Sequence, residues 1–278
     1  MQPVTIGEGL KEATAQLKGV VERPRLEAEL LLAHHMGEDR IWLHTREHER
    51  LPDPETFRAL VTRRQNREPI EYITARATFY EIELEVGEGV LIPRPETELL
   101  VDRAAALIER EGLRRICEIG VGSGAISIML ARKFPDLSIV ATDISEAALD
   151  YARRNIARYG LEGRITLQRT SFMDGVEGAF EMIVSNPPYI ARNYDLPDPV
   201  RYEPEEALFG GEAGDEMLQT ILSLAKARQV PYVACEMGYD QKASMIRFCR
   251  SLGWPVPRFY KDLAGWDRGF VLSLQASV

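Results

Sequence analysis

From Pro95 to the end of the chain, short apolar runs alternate with amphipathic stretches of helical period. The runs are RRICEIG, LSIVATDI, RITLQRT, FEMIVS, VPYVACEMG and GFVLSLQ. Between and before them, helices are predicted over about 96–111, 124–134, 146–159, 216–228 and 241–251. Strands separated by helices cannot close as tight hairpins, so they must pair in parallel, with the helices covering the sheet. A doubly wound α/β sheet follows. At 278 residues the chain has room for that sheet and one smaller domain.

The smaller domain is predicted at the start. Thr5 can cap a helix running to about Leu17. PRLEAELLLAHHMG opens with Pro24 at a first helical position and stops at Gly37. Asp53 and Pro54 open a third helix in DPETFRALVTRRQN. After residue 70 the pattern changes. TFYEIELEV alternates Ile82, Leu84 and Val86 with Glu81, Glu83 and Glu85. Gly87-Glu88-Gly89 then leads into Val90-Leu91-Ile92, so residues 71–94 are expected to form a β-hairpin linker.

Two loops carry the chemistry. The first follows the run ending in Glu118-Ile119 and reads Gly120-Val121-Gly122-Ser123-Gly124, with a helix at once behind it. Glycines allow a sharp turn and close approach of a ligand, and a helix N-terminus offers N–H groups. The next run ends in Asp143, an acid placed to accept both ribose hydroxyls of a nucleoside-type cofactor. Nicotinamide dinucleotide and S-adenosylmethionine both suit this arrangement. Glu118 favours the second, because a carboxylate repels a pyrophosphate and attracts an ammonium or a sulfonium.

The second loop is Asn186-Pro187-Pro188-Tyr189, at the end of FEMIVS. Two consecutive prolines cannot continue a sheet ladder, since neither has an N–H to give. They stiffen the segment and display carbonyls. The Asn186 side-chain oxygen and the Pro187 carbonyl can accept both N–H bonds of a planar NH₂ group, and Tyr189 offers a flat surface beside it. Such a nitrogen is a poor nucleophile, so holding it in line with an electrophilic methyl is the main help it needs. In a doubly wound sheet ligands bind at the carboxyl ends of strands. Glu118–Gly124, Asp143 and Asn186–Tyr189 are therefore expected to line one crevice. That arrangement points to methyl transfer from S-adenosylmethionine, which leaves S-adenosylhomocysteine, rather than to hydride transfer.

A net charge of −9 argues against a chain whose main work is coating DNA or RNA. No apolar run is long enough to span a membrane, and the first residues lack a signal-peptide pattern, so a cytoplasmic protein is expected. Cys117, Cys235 and Cys249 have no metal-type spacing and read as reduced thiols. His44-Thr45-Arg46-Glu47-His48 fits a zinc pattern but has no third ligand in view, and reads as solvated polar residues. No metal is expected, and nothing requires more than a monomer.

Several further stretches complete the picture: LIPRPETE at 91–98, EPIEYIT at 68–74, EIGVGSGAI, YEPEEALFGGEAGDE at 202–216, CEMGYDQ at 235–241 and KDLAGWDRGF at 261–270. With AELLLAHHMG and Asn-Pro-Pro-Tyr they resemble, over essentially the whole chain, the PrmC/HemK family. Members are S-adenosylmethionine-dependent methyltransferases that modify the glutamine of peptide-chain release factors. The resemblance implies a class I methyltransferase fold, Rossmann-like with a mostly parallel sheet, behind a small N-terminal helical domain. It implies substrate recognition by residues 1–70 and a catalytic, cofactor-binding domain at 95–278. It also implies that Gly120, Val121, Gly122, Ser123 and Gly124 cradle the methionine part of the cofactor. Asp143 takes the ribose, Phe172 the adenine face, and Asn186, Pro187, Pro188 and Tyr189 hold the glutamine of a Gly-Gly-Gln loop. Thr170 and Ser171 stand where members often carry an acid and Trp. Arg94 and Glu96 or Glu98 look like supports of the site. The remaining alternatives are an adenine or cytosine amino-methyltransferase on nucleic acid, a nicotinamide oxidoreductase and a non-catalytic binding module.

Overall fold

The computed structural model describes residues 4–274, so Gln275 of the expected last strand lies outside the described residues. The chain divides into two compact units. One comprises the chain up to Arg76 together with Leu196–Tyr202, and the other comprises Ala77–Asp195 and the chain from Glu203 on.

The first unit is helical: α1 Ile6–Leu17, α2 Pro24–Met36, α3 Arg40–His44, α4 Pro54–Gln65 and α5 Ile70–Thr74. Its starts and stops are those the local chemistry requires. Thr5 and Glu8 form a reciprocal capping box on α1, Gly37 ends α2 in the left-handed conformation, and Asp53 caps α4. Apolar residues at helical spacing, among them Leu10, Leu17, Leu31, Leu32, Phe57 and Val61, close a separate core. Tyr202, from the returning segment, donates its hydroxyl to the Asn66 carbonyl at 2.6 Å.

The second unit opens at Ala77, within the first strand of a two-stranded sheet, β1 Arg76–Phe79 and β2 Ile82–Glu85. The turn thus falls at Tyr80-Glu81, not at Gly87–Gly89, and Val90–Ile92 form no strand. Tyr80 takes φ of 50° there. Hydrogen bonds hold it in that conformation: its N–H donates to Glu98 Oε1 at 2.7 Å and its hydroxyl to the Glu98 carbonyl at 2.6 Å. Then follow α6 Pro95–Glu111, β3 Arg115–Ile119, α7 Ala125–Lys133, β4 Ser138–Asp143, α8 Glu146–Arg158, β5 Ile165–Arg169 and β6 Met182–Ser185. The chain continues through β7 Ile190–Ala191, β8 Phe209–Gly211, α9 Glu216–Ala227, β9 Tyr232–Glu236, α10 Lys242–Ser251, β10 Arg258–Lys261 and β11 Asp267–Ser273.

Seven strands form the main sheet in the order β10-β11-β9-β6-β3-β4-β5. The pairs among β9, β6, β3, β4 and β5 are parallel, and β11 is antiparallel to both its neighbours. The mostly parallel doubly wound fold is therefore as expected. Strand β10 has no counterpart among the apolar runs of the sequence. Alternation sorts the core into two layers. Ile116, Ile139, Met182, Val184 and Ala234 pack with α6, α7 and α8, while Cys117, Ile183, Val233, Cys235 and Phe270 pack with α9 and α10.

Asn155 of α8, fully buried, ties three segments together. Its Oδ1 accepts from the Glu85 N–H at 2.7 Å, and its Nδ2 donates to the carbonyls of Glu85 and Ser123, each at 2.9 Å. Removing that amide leaves buried backbone groups unpaired, each costing about 1–3 kcal/mol. Asn155→Ala is expected to lower the unfolding free energy by about 2–4 kcal/mol in urea titration. An unchanged midpoint would show that water or a shifted backbone replaces these bonds.

Candidate functional site

The sheet order brings β3 and β6 side by side, although β4, β5 and two helices intervene in the chain. The chain winds outward from β3 to β5, then returns to start the other half at β6. That reversal leaves a crevice at the carboxyl ends of β3 and β6. Both sequence loops start there. The Ser185 hydroxyl donates to the Ile119 carbonyl at 2.6 Å, which fastens the root of one loop to the root of the other.

A cleft opens at this point, lined among others by Gly120, Gly122, Asp143, Phe172, Asn186, Pro187 and Pro188. Thr170 and Ser171 also line it. Val121, Ser123, Gly124, Glu118 and Tyr189 are not in its wall. Val121 and Ser123 are buried, and Gly124 sits at φ of 89° against Ile128 and Ala152. Only the first and middle glycines thus present backbone to the cleft. Gly122 takes φ of 53° with open space where a Cβ would stand.

The Gly122 N–H donates to Asp143 Oδ2 at 3.0 Å, and the Ser145 N–H donates to its Oδ1 at 3.0 Å. Each oxygen keeps acceptor capacity toward the cleft. Burial pushes the Asp143 carboxyl above its ordinary value, and these backbone bonds oppose it. Phe172 takes φ of 49°, and its carbonyl accepts the Thr142 hydroxyl at 2.6 Å. A non-glycine residue held there is strained, and the bond is what holds it.

Glu118 is 1% exposed, receives the Ser127 hydroxyl on Oε2 and has no partner for Oε1 among the described residues. Burial pushes its carboxyl up to about 8. A buried carboxylate oxygen without a donor suits a cationic ligand and opposes a pyrophosphate. The donor set fits a nucleoside cofactor carrying an ammonium and a sulfonium.

Asn186 is fixed by residues that the sequence reading did not single out. Its Nδ2 donates to Thr97 Oγ1 at 3.0 Å, and Thr97 donates to Glu236 Oε2 at 2.7 Å. The Tyr189 hydroxyl donates to Glu236 Oε1 at 2.9 Å, and Gln241 Nε2 donates to the Tyr189 carbonyl at 2.8 Å. Thus Thr97 of LIPRPETE and Glu236 and Gln241 of CEMGYDQ all hold the proline loop. The signals were a small hydroxyl in the first turn of a helix and an acid ending an otherwise apolar strand. The residues singled out instead serve elsewhere. Arg94 pairs with Glu203, which also accepts the Ile92 N–H at 2.9 Å, while Glu98 holds Tyr80.

The glycines of FGGEAGDE press on the same loop. A Cβ on Gly214 would lie 2.6 Å from the Tyr189 carbonyl oxygen, and one on Gly210 would collide with that of Pro188.

The fold and cleft define a methyltransferase. Residues 95–197 match the methyltransferase small domain, and residues 8–74 match the PrmC N-terminal domain. The release factor glutamine methyltransferase of Xylella fastidiosa is 36% identical over 91% of this chain and 95% of its own length. That of Rhodopirellula baltica is 42% identical over 91% and 90%. The chain belongs to the release factor glutamine methyltransferase family. The N-terminal domain of human METTL16 in complex with SAH, at 19% identity, aligns with a TM-score of 0.53 over 69% of this chain and 76% of its own. The ribosomal protein L11 methylase of Lactobacillus delbrueckii aligns at 22% identity and 0.50 over 69% and 84%. These two likenesses concern the fold alone.

Gly210→Ala is expected to displace the proline loop and lower turnover by ~100-fold, the scale that a shift of about 1 Å produces. Wild-type turnover in a variant of unchanged thermal midpoint would show that the loop gives way without consequence.

Proposed function

We propose that the chain uses S-adenosylmethionine to methylate the side-chain amide of a glutamine in the Gly-Gly-Gln loop of peptide-chain release factors. The observation that carries this reading is the anchored amide of Asn186 in the wall of a cleft that also holds Gly120, Gly122 and Asp143. With Nδ2 given to Thr97, Asn186 turns its oxygen outward as an acceptor. Asn186 Oδ1 and the Pro187 carbonyl take the two N–H bonds of the substrate amide and hold its nitrogen in line. When bound, the cofactor supplies an electrophilic methyl on a sulfonium. Asp143 accepts the ribose hydroxyls, Phe172 covers the adenine, and Gly120 and Gly122 give room for the methionine chain. The nitrogen loses its proton readily once alkylated, so the chain needs no strong base. The names of the relatives and the match to the PrmC N-terminal domain support this substrate, with residues 1–70 gripping the release factor.

The test is transfer of labelled methyl to purified, unmethylated release factor, followed by mass mapping. Label on the glutamine of Gly-Gly-Gln, with residues 1–70 protected from amide exchange by release factor, is the expected result. Label that appears only on nucleic acid would replace this reading by an amino-methyltransferase.

The cofactor assignment has its own consequence at Glu118. In the ligand-free chain burial keeps this carboxyl protonated between its ordinary 4.5 and about 8. Glu118 stands behind the cleft wall, immediately before Ile119 and Gly120, which line it. A cation held against that wall favours the charged form at short range, so Glu118 gives up its proton on binding within that window and none above roughly pH 9. Calorimetry in buffers of different ionisation heat is expected to register release of up to one proton at pH 7. Glu118→Gln is expected to abolish it. Equal release in both proteins would remove Glu118 from the cationic end of the site.

A further inference from the structure

A hydrogen-bond chain with a fixed direction runs beneath the proline loop. At its far end stands Glu236, the last residue of β9 and 1% exposed. An ionised carboxylate only accepts. It takes the hydroxyl proton of Tyr189 at 2.9 Å and that of Thr97 at 2.7 Å. The one proton of Thr97 is thereby committed, so Thr97 can only accept from its other neighbour. That neighbour is the Asn186 amide, 3.0 Å away, which must therefore present its NH₂ inward. An amide has one oxygen and one nitrogen at its end, so the direction of this chain decides which of them faces the cleft.

We propose that Glu236, acting through Thr97, is a positioning device that sets the flip state of the Asn186 amide and so makes it an acceptor toward the substrate. The proposal rests on the reading that Asn186 accepts from the glutamine amide. Were Thr97 free to donate to Asn186, the amide could turn over at no loss of hydrogen bonds. It would then offer N–H groups to a substrate that itself offers N–H groups. Donor would face donor, and the clamp would be lost without any change of fold. Thr97 suits this role because it is 4% exposed, sits in the first turn of α6, and has a hydroxyl small enough to serve both partners.

The groups around Glu236 shape its charge. Its carboxyl is raised to about 7 on balance: burial pushes it up most, the hydroxyls of Thr97 and Tyr189 pull it down, Glu96 of α6 pushes it up, and the guanidinium of Arg268 on β11 pulls it down. Arg268 also lies 3.9 Å from Glu96, and the Tyr260 hydroxyl of β10 faces the Cys235 carbonyl at 3.4 Å. When Glu236 takes up a proton it becomes a donor, Thr97 is released, and the direction of the chain is no longer fixed. Activity is therefore present above pH 7 and falls as the pH drops through it.

The test uses four full-length variants in single-turnover methylation of release factor at saturating cofactor, with the thermal midpoint and cofactor Kd measured for each. Thr97→Ser keeps the hydroxyl and is expected within about threefold of wild type. Thr97→Val fills the same space without it and is expected to lose ~100-fold in turnover, with cofactor Kd unchanged and without the acid limb of the pH profile. Thr97→Val placed in Asn186→Ala is expected to cost nothing further, because the device acts only through that amide. Wild-type turnover in Thr97→Val, an acid limb that survives in it, or an additive loss in the double variant would overturn the proposal. Wild-type turnover in Asn186→Ala would instead overturn the reading of Asn186 itself, and the device with it.

Discussion

Parallel pairing of β3 with β6 is the contact on which the site depends. Neither loop has chemistry alone. The glycine loop is a strand-to-helix turn, and Asn-Pro-Pro-Tyr is a strand end that cannot pair onward. Because the winding reverses between these two strands, the turn and the strand end open onto the same crevice. The Ser185 hydroxyl on the Ile119 carbonyl makes the adjacency rigid at its root. The remaining motifs are then scaffolding for one of the two loops. Asn155 and Asp143 serve the glycine loop, while Thr97, Glu236, Gln241 and the glycines of FGGEAGDE serve the proline loop.

Much of this fold was legible because its signals are local. Thr5, Pro24, Gly37, Asp53 and Pro54 state helix starts and stops in residues a few positions apart, and the buried parallel strands read as continuous apolar runs. The hairpin was misplaced for the opposite reason. Gly87-Glu88-Gly89 is the better local turn signal, yet the chain turns at Tyr80, whose unfavourable φ is held by Glu98, eighteen residues away. A hydrogen bond at that distance leaves no mark on local propensity. The edge strand β10 escaped notice because RFYK is too short and too polar to register.

The site divides along the same line. Asp143 and the two loops are legible because strand ends point into such crevices, whereas Phe172 is implied only by the family resemblance. The network that orients Asn186 was not found as a network. Thr97 and Glu236 each lie within a recognisable motif, but their meeting joins residues 139 positions apart through a helix start and a strand end. Arg94 and Glu98 stand out beside Thr97, because charge is conspicuous in a sequence and a hydroxyl is not. Arg94 and Glu98 prove to hold the backbone around the site.

Glu118 and Glu236 show why such residues merit suspicion. Each ends or nearly ends an apolar strand, each is about 1% exposed, and each has a carboxyl raised far above its ordinary value. Burial of a carboxylate opposes folding by several kcal/mol unless its partners compensate fully. At Glu118 compensation is incomplete, since its Oε1 has no partner among the described residues, while Glu236 accepts a hydroxyl on each oxygen. An apolar side chain of similar size would satisfy the sheet as well at Glu118, and at Glu236 the only groups it would leave unpaired are the hydroxyls of Thr97 and Tyr189 beneath the proline loop. Packing therefore gives no reason for these acids. A reason must come from what they act on: at Glu118 the cationic end of the proposed cofactor, held against the wall that Ile119 and Gly120 form, and at Glu236 a threonine whose single proton has to be kept away from Asn186.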